Sequence, residues 1–229
     1  MVIRPWQKSI NHADLYSEKV NTWSAFFDQE NRSSFLELLS TDEKSRAERL
    51  MDPEAASRQI ISRGILRLIL GSYTGKEPNA LVFGCTEFGK PFLSDPKNSG
   101  IYFNLSHSGN LLLIAVTAGK QIGIDVEKNE NNIDISGIAA LVFSVEEQIS
   151  LSQSTDPILE FYELWTAKEA ILKSTGFGFS YPSNRFSVNK SKEQISRLRI
   201  SKGLPAGTEF SLETFSPAEG YSAAIAVLQ

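Results

Sequence analysis

Asp125 and Glu127 stand two positions apart in Gly123-Ile124-Asp125-Val126-Glu127. In an extended strand side chains alternate, so both carboxylates share one face while Ile124 and Val126 share the other. Like charges this close repel, and a cation between them removes the penalty. Oxygen-only ligation by few protein groups suits Mg²⁺, which keeps waters and takes phosphate oxygens as co-ligands. A solvated acidic strand end gives the same triplet, and an isolated Asp-Val-Glu is more often that. Glu169 shifts the balance, because it falls within the inward stripe Ile158, Phe161, Tyr162, Trp165 and Leu172 of a helix. A carboxylate there needs a charge partner or a metal. Lys173, four residues on, lies on the same side and can pair with Glu169 or reach a phosphate. The simpler alternative is a surface Glu169–Lys173 pair of small energetic consequence. Lys168, the adjacent basic group, is expected to frame the helix edge.

Around this trio lie weaker signals. Asn104-Leu105-Ser106-His107-Ser108 reads as a tight turn whose donors converge on one point, a phosphate cradle or simple loop chemistry. His107 is one of only two histidines, the other being His12 in the N-terminal region. Gly89-Lys90-Pro91 reads as a turn with an exposed lysine. Lys44, Arg46, Arg49, Arg58, Arg63 and Arg67 form a basic cluster whose simplest explanation is a solvated helix face.

The elements that must hold these groups follow from caps and periods. Asp52-Pro53-Glu54 opens a helix running to about Leu70, where Gly71 offers a stop, with Ile61, Ile65, Leu68 and Ile69 as its buried stripe. Asp156-Pro157 opens a second helix to about Ser174, with Gly176 beyond it. Between them, 101–105, 111–117 and 121–126 read as three strands of a β-meander. Further strands are expected at 185–188, 209–214 and 221–227. The stretch Leu141–Leu151 could form a partner-facing helix, but its apolar residues fit a core better. The class is α+β. Helix-then-strands occurs twice, which divides the chain into an N-terminal half, 1–119, and a C-terminal half, 120–229.

With 229 residues, 41% of them hydrophobic, there is ample material for a core. A net charge of −4 argues against a partner made of long nucleic acid. No apolar run is long enough to span a bilayer, and the first residues lack a secretory stretch. Cys85 is the only cysteine, so no intrachain disulfide forms. The expectation is a cytoplasmic monomer with no membrane partner.

Taken together and in order, Gly89-Lys90-Pro91, Phe103–Ser108, Gly123–Glu127 and Trp165-Thr166-Ala167-Lys168-Glu169-Ala170-Ile171-Leu172-Lys173 resemble the Sfp-type 4′-phosphopantetheinyl transferases. The segment from Arg58 through Arg63 to Leu66-Arg67 resembles that family's arginine-bearing helix. The resemblance covers roughly residues 40 to 190. It implies a pseudo-dimer of two α+β halves with coenzyme A in the cleft between them. It implies Mg²⁺ on Asp125, Glu127 and Glu169, and coenzyme A phosphates at Lys173 and His107 with Ser106 beside them. Lys90 and Pro91 would border the nucleotide, Arg58 would meet the 3′-phosphate, and Lys44 and Arg46 stand close to further phosphate-contacting positions. The implied reaction moves 4′-phosphopantetheine from coenzyme A to a serine of an apo acyl or peptidyl carrier protein, releasing 3′,5′-adenosine bisphosphate. Glu127 is the preferred base, directly or through a metal-held water, with solvent as the alternative. The alternatives are a Mg²⁺-dependent nucleotide phosphodiesterase and a coenzyme A-binding module without catalysis.

Overall fold

The computed structural model describes residues 4–5, 20–27, 32–95, 99–176, 181–188, 195–199 and 208–229; His12 lies outside them. The chain runs β1 (Arg4–Pro5), β2 (Asn21–Phe26), α1 (Arg32–Leu38), α2 (Thr41–Glu48), α3 (Pro53–Thr74), β3 (Val82–Cys85), β4 (Pro91–Asp95), β5 (Ile101–Ser108), β6 (Leu111–Ala118) and β7 (Ile122–Lys128). It continues through α4 (Ile135–Val142), α5 (Val145–Ser152), α6 (Pro157–Thr175), β8 (Ile195–Arg199), β9 (Glu209–Phe215) and β10 (Tyr221–Leu228).

The strands form two antiparallel four-stranded sheets, ordered β1-β2-β6-β5 and β7-β10-β9-β8, plus a separate β3–β4 hairpin. Helix α3 covers one face of the first sheet, packing Ile60, Ile61, Ile65 and Leu66 on Phe103, Leu112 and Ile114. The opposite face, with Leu111, Leu113 and Ala115, meets Ile122, Ile124, Val126 and Ile225 of the second sheet. Helix α6 covers the far face of that second sheet with Phe161, Leu164 and Ile171. The layers are therefore helix, sheet, sheet, helix. Both faces of β6 and β10 are covered, which is why these strands are continuous apolar runs instead of alternating ones. The expected α+β class and the two-half organisation are those of the structure.

The halves repeat each other in detail. Ser40 and Ser144, 104 positions apart, each cap a helix through a capping box with Glu43 or Glu147. Asp52-Pro53 and Asp156-Pro157, at the same offset, start the long helices. Each capping-box glutamate also turns inward onto a buried cation: Glu43 onto Arg67 at 2.7 Å, and Glu147 onto Lys168 at 2.6 Å. Lys168 is thus 2% exposed and belongs to the core, not to the helix edge.

Other expectations need correcting. Helix α3 passes Gly71 and ends on Gly75, whose φ of 68° only glycine adopts readily. Gly71 instead gives room to the Lys76 carbonyl, which lies 2.9 Å from where a Cβ would stand. Leu68 faces out, and α1 and α2 cover the flanks of α3 in its place. The strands 101–105, 111–117 and 121–126 are no meander, because β7 leaves β6 and pairs with β10, setting Asp125 opposite Ala224. Residues 185–188 close a 3₁₀ turn (Ser183–Arg185) and form no strand. Leu141–Leu151 breaks between α4 and α5 at the Ser144 cap, and Leu141, Val145 and Ile149 are exposed while Phe143 and Leu151 enter the core.

Candidate active site

The acidic pair sits where β7 passes between α6 and β5. Gly123 lets this happen: a Cβ there would lie 2.0 Å from the Ala170 carbonyl of α6, so strand and helix backbones touch. On the other side β5 and β7 belong to different sheets and share no ladder. Alternate side chains of β5 bridge the gap. The Ile124 N–H donates to Asn104 Oδ1 at 2.9 Å, Ser106 Oγ donates to Asp125 Oδ1 at 2.8 Å, and Ser108 Oγ donates to Glu127 Oε2 at 2.6 Å. The stretch 104–108 is therefore strand, not turn, and its residues split between two faces. Asn104 and Ser108 were not singled out from the sequence, although the period-two spacing with Ser106 marks them once a strand is assumed.

From α6, Lys173 Nζ reaches Asp125 Oδ1 at 2.6 Å and Ser106 Oγ at 2.9 Å. Its partner is Asp125 and not Glu169. Burial pushes the Asp125 carboxyl above its ordinary range, against the pull of Lys173. Burial likewise raises Glu127, which Ser108 and then the Asp125 charge move in opposite directions. Glu169 is pushed up to about 7, first by burial and then by the negative charge of Asp125, with Glu127 adding to it. Three carboxylates thus sense one another around a single ammonium.

Hard oxygen donors short of positive charge suit a divalent cation such as Mg²⁺. Asp125 Oδ2 fits that need, since it is buried and makes no hydrogen bond. Among the described residues no three His, Cys, Asp or Glu side chains already enclose an ion-sized point. Convergence on a metal would therefore require side-chain movement.

His107 points away from Ser106, onto the α3 side of β5. Its ring packs edge-on against Phe27 at 5.8 Å and lines a cavity of about 500 Å³ with Arg58, Gln59, Ser62, Arg63 and Leu105. The ring keeps an open edge. Burial, Arg58 and then Lys173 lower its pKa, so it is neutral at pH 7 and offers a hydrogen bond instead of a charge. The same two cations show that His107 stands between the cavity and the acidic trio.

Arg58 pairs with Glu54 one turn back on α3. The basic cluster is not one solvated face, since Arg67 is 1% exposed and bonds Glu43 and the carbonyls of Pro78 and Leu81. Arg46 acts on Arg63 across the α2–α3 junction, whereas Lys44 is not among the charges that shift it. Lys90 is not an exposed turn lysine. Its Nζ donates to Gln121 Oε1, the Ile122 carbonyl and the Ser174 carbonyl at 3.0–3.2 Å, fastening the β3–β4 hairpin to β7 and the end of α6. Pro91, with Lys90, lines a second cavity of about 460 Å³ beside Tyr102 and Gln121.

The sequence profile of the 4′-phosphopantetheinyl transferase superfamily matches residues 121–226, and that of the 4′-phosphopantetheinyl transferase N-terminal region matches 21–119. The chain is 39% identical to the 4′-phosphopantetheinyl transferase HetI of Nostoc sp., over 79% of this chain and 78% of that one. It is 34% identical to a 4′-phosphopantetheinyl transferase of Bacillus subtilis, over 82% and 81%. It is 29% identical to the 4′-phosphopantetheinyl transferase Sfp of the same species, over 86% and 85%. The chain belongs to the 4′-phosphopantetheinyl transferase family, and within it to the Sfp type. No helix among the described residues is long and apolar enough to cross a membrane.

Proposed function

We propose that this enzyme transfers 4′-phosphopantetheine from coenzyme A to a serine of an apo acyl or peptidyl carrier protein, with Mg²⁺, releasing adenosine 3′,5′-bisphosphate. The observation that carries this is the juxtaposition of Asp125, Glu127 and Glu169 with Lys173, on the strand pair whose His107 lines a cavity of about 500 Å³. Asp125, Glu127 and Glu169 would hold Mg²⁺, which when bound supplies charge neutralisation at the pyrophosphate.

The serine oxygen attacks the phosphorus that carries the pantetheine arm. The bond from that phosphorus to the bridging oxygen breaks, and the leaving group keeps the electron pair as the 5′-phosphate of the bisphosphate. Lys173 donates to the phosphate oxygens where negative charge grows, and neutral His107 adds a hydrogen bond. Glu127 takes the serine proton, and Ser108 fixes its orientation. Arg58 meets the 3′-phosphate, and Lys90 and Pro91 border the nucleotide. The carrier meets the half that bears the acids, where Leu141, Val145 and Ile149 offer an exposed apolar row. The enzyme acts as a cytoplasmic monomer whose halves divide at residues 119 and 120.

Mass spectrometry of an apo carrier protein incubated with coenzyme A, Mg²⁺ and this enzyme tests the proposal. The expected result is a mass gain equal to the phosphopantetheine arm. Hydrolysis of coenzyme A with no adduct would make the protein a phosphodiesterase, and binding with no turnover would make it a coenzyme A-binding module.

A further inference from the structure

The turn Ser108-Gly109-Asn110 between β5 and β6 is gripped from both halves of the molecule. From the first half, the Phe27 N–H donates to the Asn110 carbonyl at 2.9 Å, while the Phe27 ring packs on His107. From the second half, the hydroxyl of Tyr221 on β10 accepts the Asn110 N–H at 3.3 Å. A Cβ at Gly109, whose φ is 53°, would lie 2.7 Å from that hydroxyl oxygen, so the turn backbone rests directly on it. Tyr221 is 9% exposed, and its own backbone is fixed. Its N–H donates to the Ala218 carbonyl at 3.1 Å, and its carbonyl accepts Ser216 Oγ at 3.0 Å. The hydroxyl is thus presented from a rigid point at the far end of the chain.

The turn begins with the residue that orients Glu127. Ser108 Oγ donates to Glu127 Oε2 at 2.6 Å and accepts the Lys128 N–H at 3.1 Å. Lys128 is in turn the ladder partner of Tyr221. Hydroxyl, turn, serine and strand end therefore close one ring of contacts. Because β5 and β7 share no ladder, side-chain bonds alone set the height of Ser108 over Glu127. The Trp165 side chain also bonds Glu127, so a slipped turn would leave the carboxylate held from one side only. We infer that Tyr221 is a positioning residue of the transfer reaction: by holding the 108–110 turn, its hydroxyl keeps Ser108 against Glu127. This rests on the function proposed above, in which Glu127 takes the serine proton. Phe27 holds the Asn110 carbonyl whatever stands at 221, so the His107 side of the turn is secured separately.

Tyr221→Phe removes the hydroxyl and keeps the ring between the sheets. With apo carrier, coenzyme A and Mg²⁺, its kcat is expected to fall about 2- to 10-fold, the range of one neutral hydrogen bond, with KM for coenzyme A within about twofold. Ser108→Ala should itself lower kcat, and adding Tyr221→Phe to it should cost nothing further, because the tyrosine acts through that serine. In the protein without ligands, amide hydrogen exchange should quicken in Tyr221→Phe at Asn110 and Lys128 and stay unchanged at Phe27. An unchanged kcat, a loss that adds to that of Ser108→Ala, or unaltered exchange at Asn110 would overturn the positioning role while sparing the proposed reaction. A wild type that forms no carrier adduct would overturn the reaction, and this role with it.

Discussion

Lys168 takes a full charge into the second core, where Glu147 and the Phe186 carbonyl each hold it at 2.6 Å and the Phe186 ring lies 4.3 Å away. Removing one partner leaves an uncompensated buried charge, which costs about 3–5 kcal/mol. Lys168→Met is therefore expected to lower unfolding free energy in urea by about that amount. Adding Glu147→Gln should recover part of it by removing the buried charge; the recovery is incomplete because Ser144 and Val188 donate to separate carboxylate oxygens, of which the amide keeps one. A double variant as unstable as the single one would show that packing, not charge, holds the site. Glu127→Gln probes the chemistry instead: turnover should fall by about 10²–10⁴, the usual contribution of a general base. Near-normal turnover with intact metal affinity would end that role. The acidic trio was legible because period two and helical spacing are local rules. Lys168 was not, because its partner Glu147 lies on another helix. Nor could a sequence show that Ser106 and His107 part to opposite faces until 104–108 is known to be strand.

The contact of β7 with α6 depends on the absence of one atom group. A methyl at Gly123 meets the Ala170 carbonyl at 2.0 Å and the Ser174 nitrogen at 2.5 Å, both backbone and unable to rotate away. Gly123→Ala should cost about 1–3 kcal/mol as overpacking and spread Asp125 from Lys173, so the loss should appear in both denaturation and turnover. Stability within about 0.5 kcal/mol of wild type, the range of neutral surface changes, would contradict this contact. The long helices were readable from Asp-Pro starts and glycine ends, and α6 ends where expected. The destination of β7 was not readable, because a strand carries no local mark of its partner, and β10 lies at the far end of the chain. The four extra residues of α3 were missed because a glycine that permits a close approach resembles one that ends a helix.

Across the whole molecule, Lys90 joins the first half's hairpin to the second half's β7 and α6. Burial pulls its pKa down to about 8 from an ordinary 10.5. The unfolded chain keeps that proton up to its ordinary value while the folded chain releases it near 8, so between those values the unfolded state binds more protons. Stability from this group therefore rises with pH across that window and is lowest, and flat, below it. Wild type should gain on the order of 1 kcal/mol over Lys90→Met between pH 8 and pH 10. A constant difference across that range would mean that the three carbonyls keep the ammonium charged. The placement of β7 also bears on synthesis. The first sheet has all its strands once residue 118 has left the ribosome, but the strand holding Asp125 and Glu127 pairs only with residues 221–228. A nascent chain can thus fold its first half early, while the strand of Asp125 and Glu127 lacks its ladder partner until translation is nearly over.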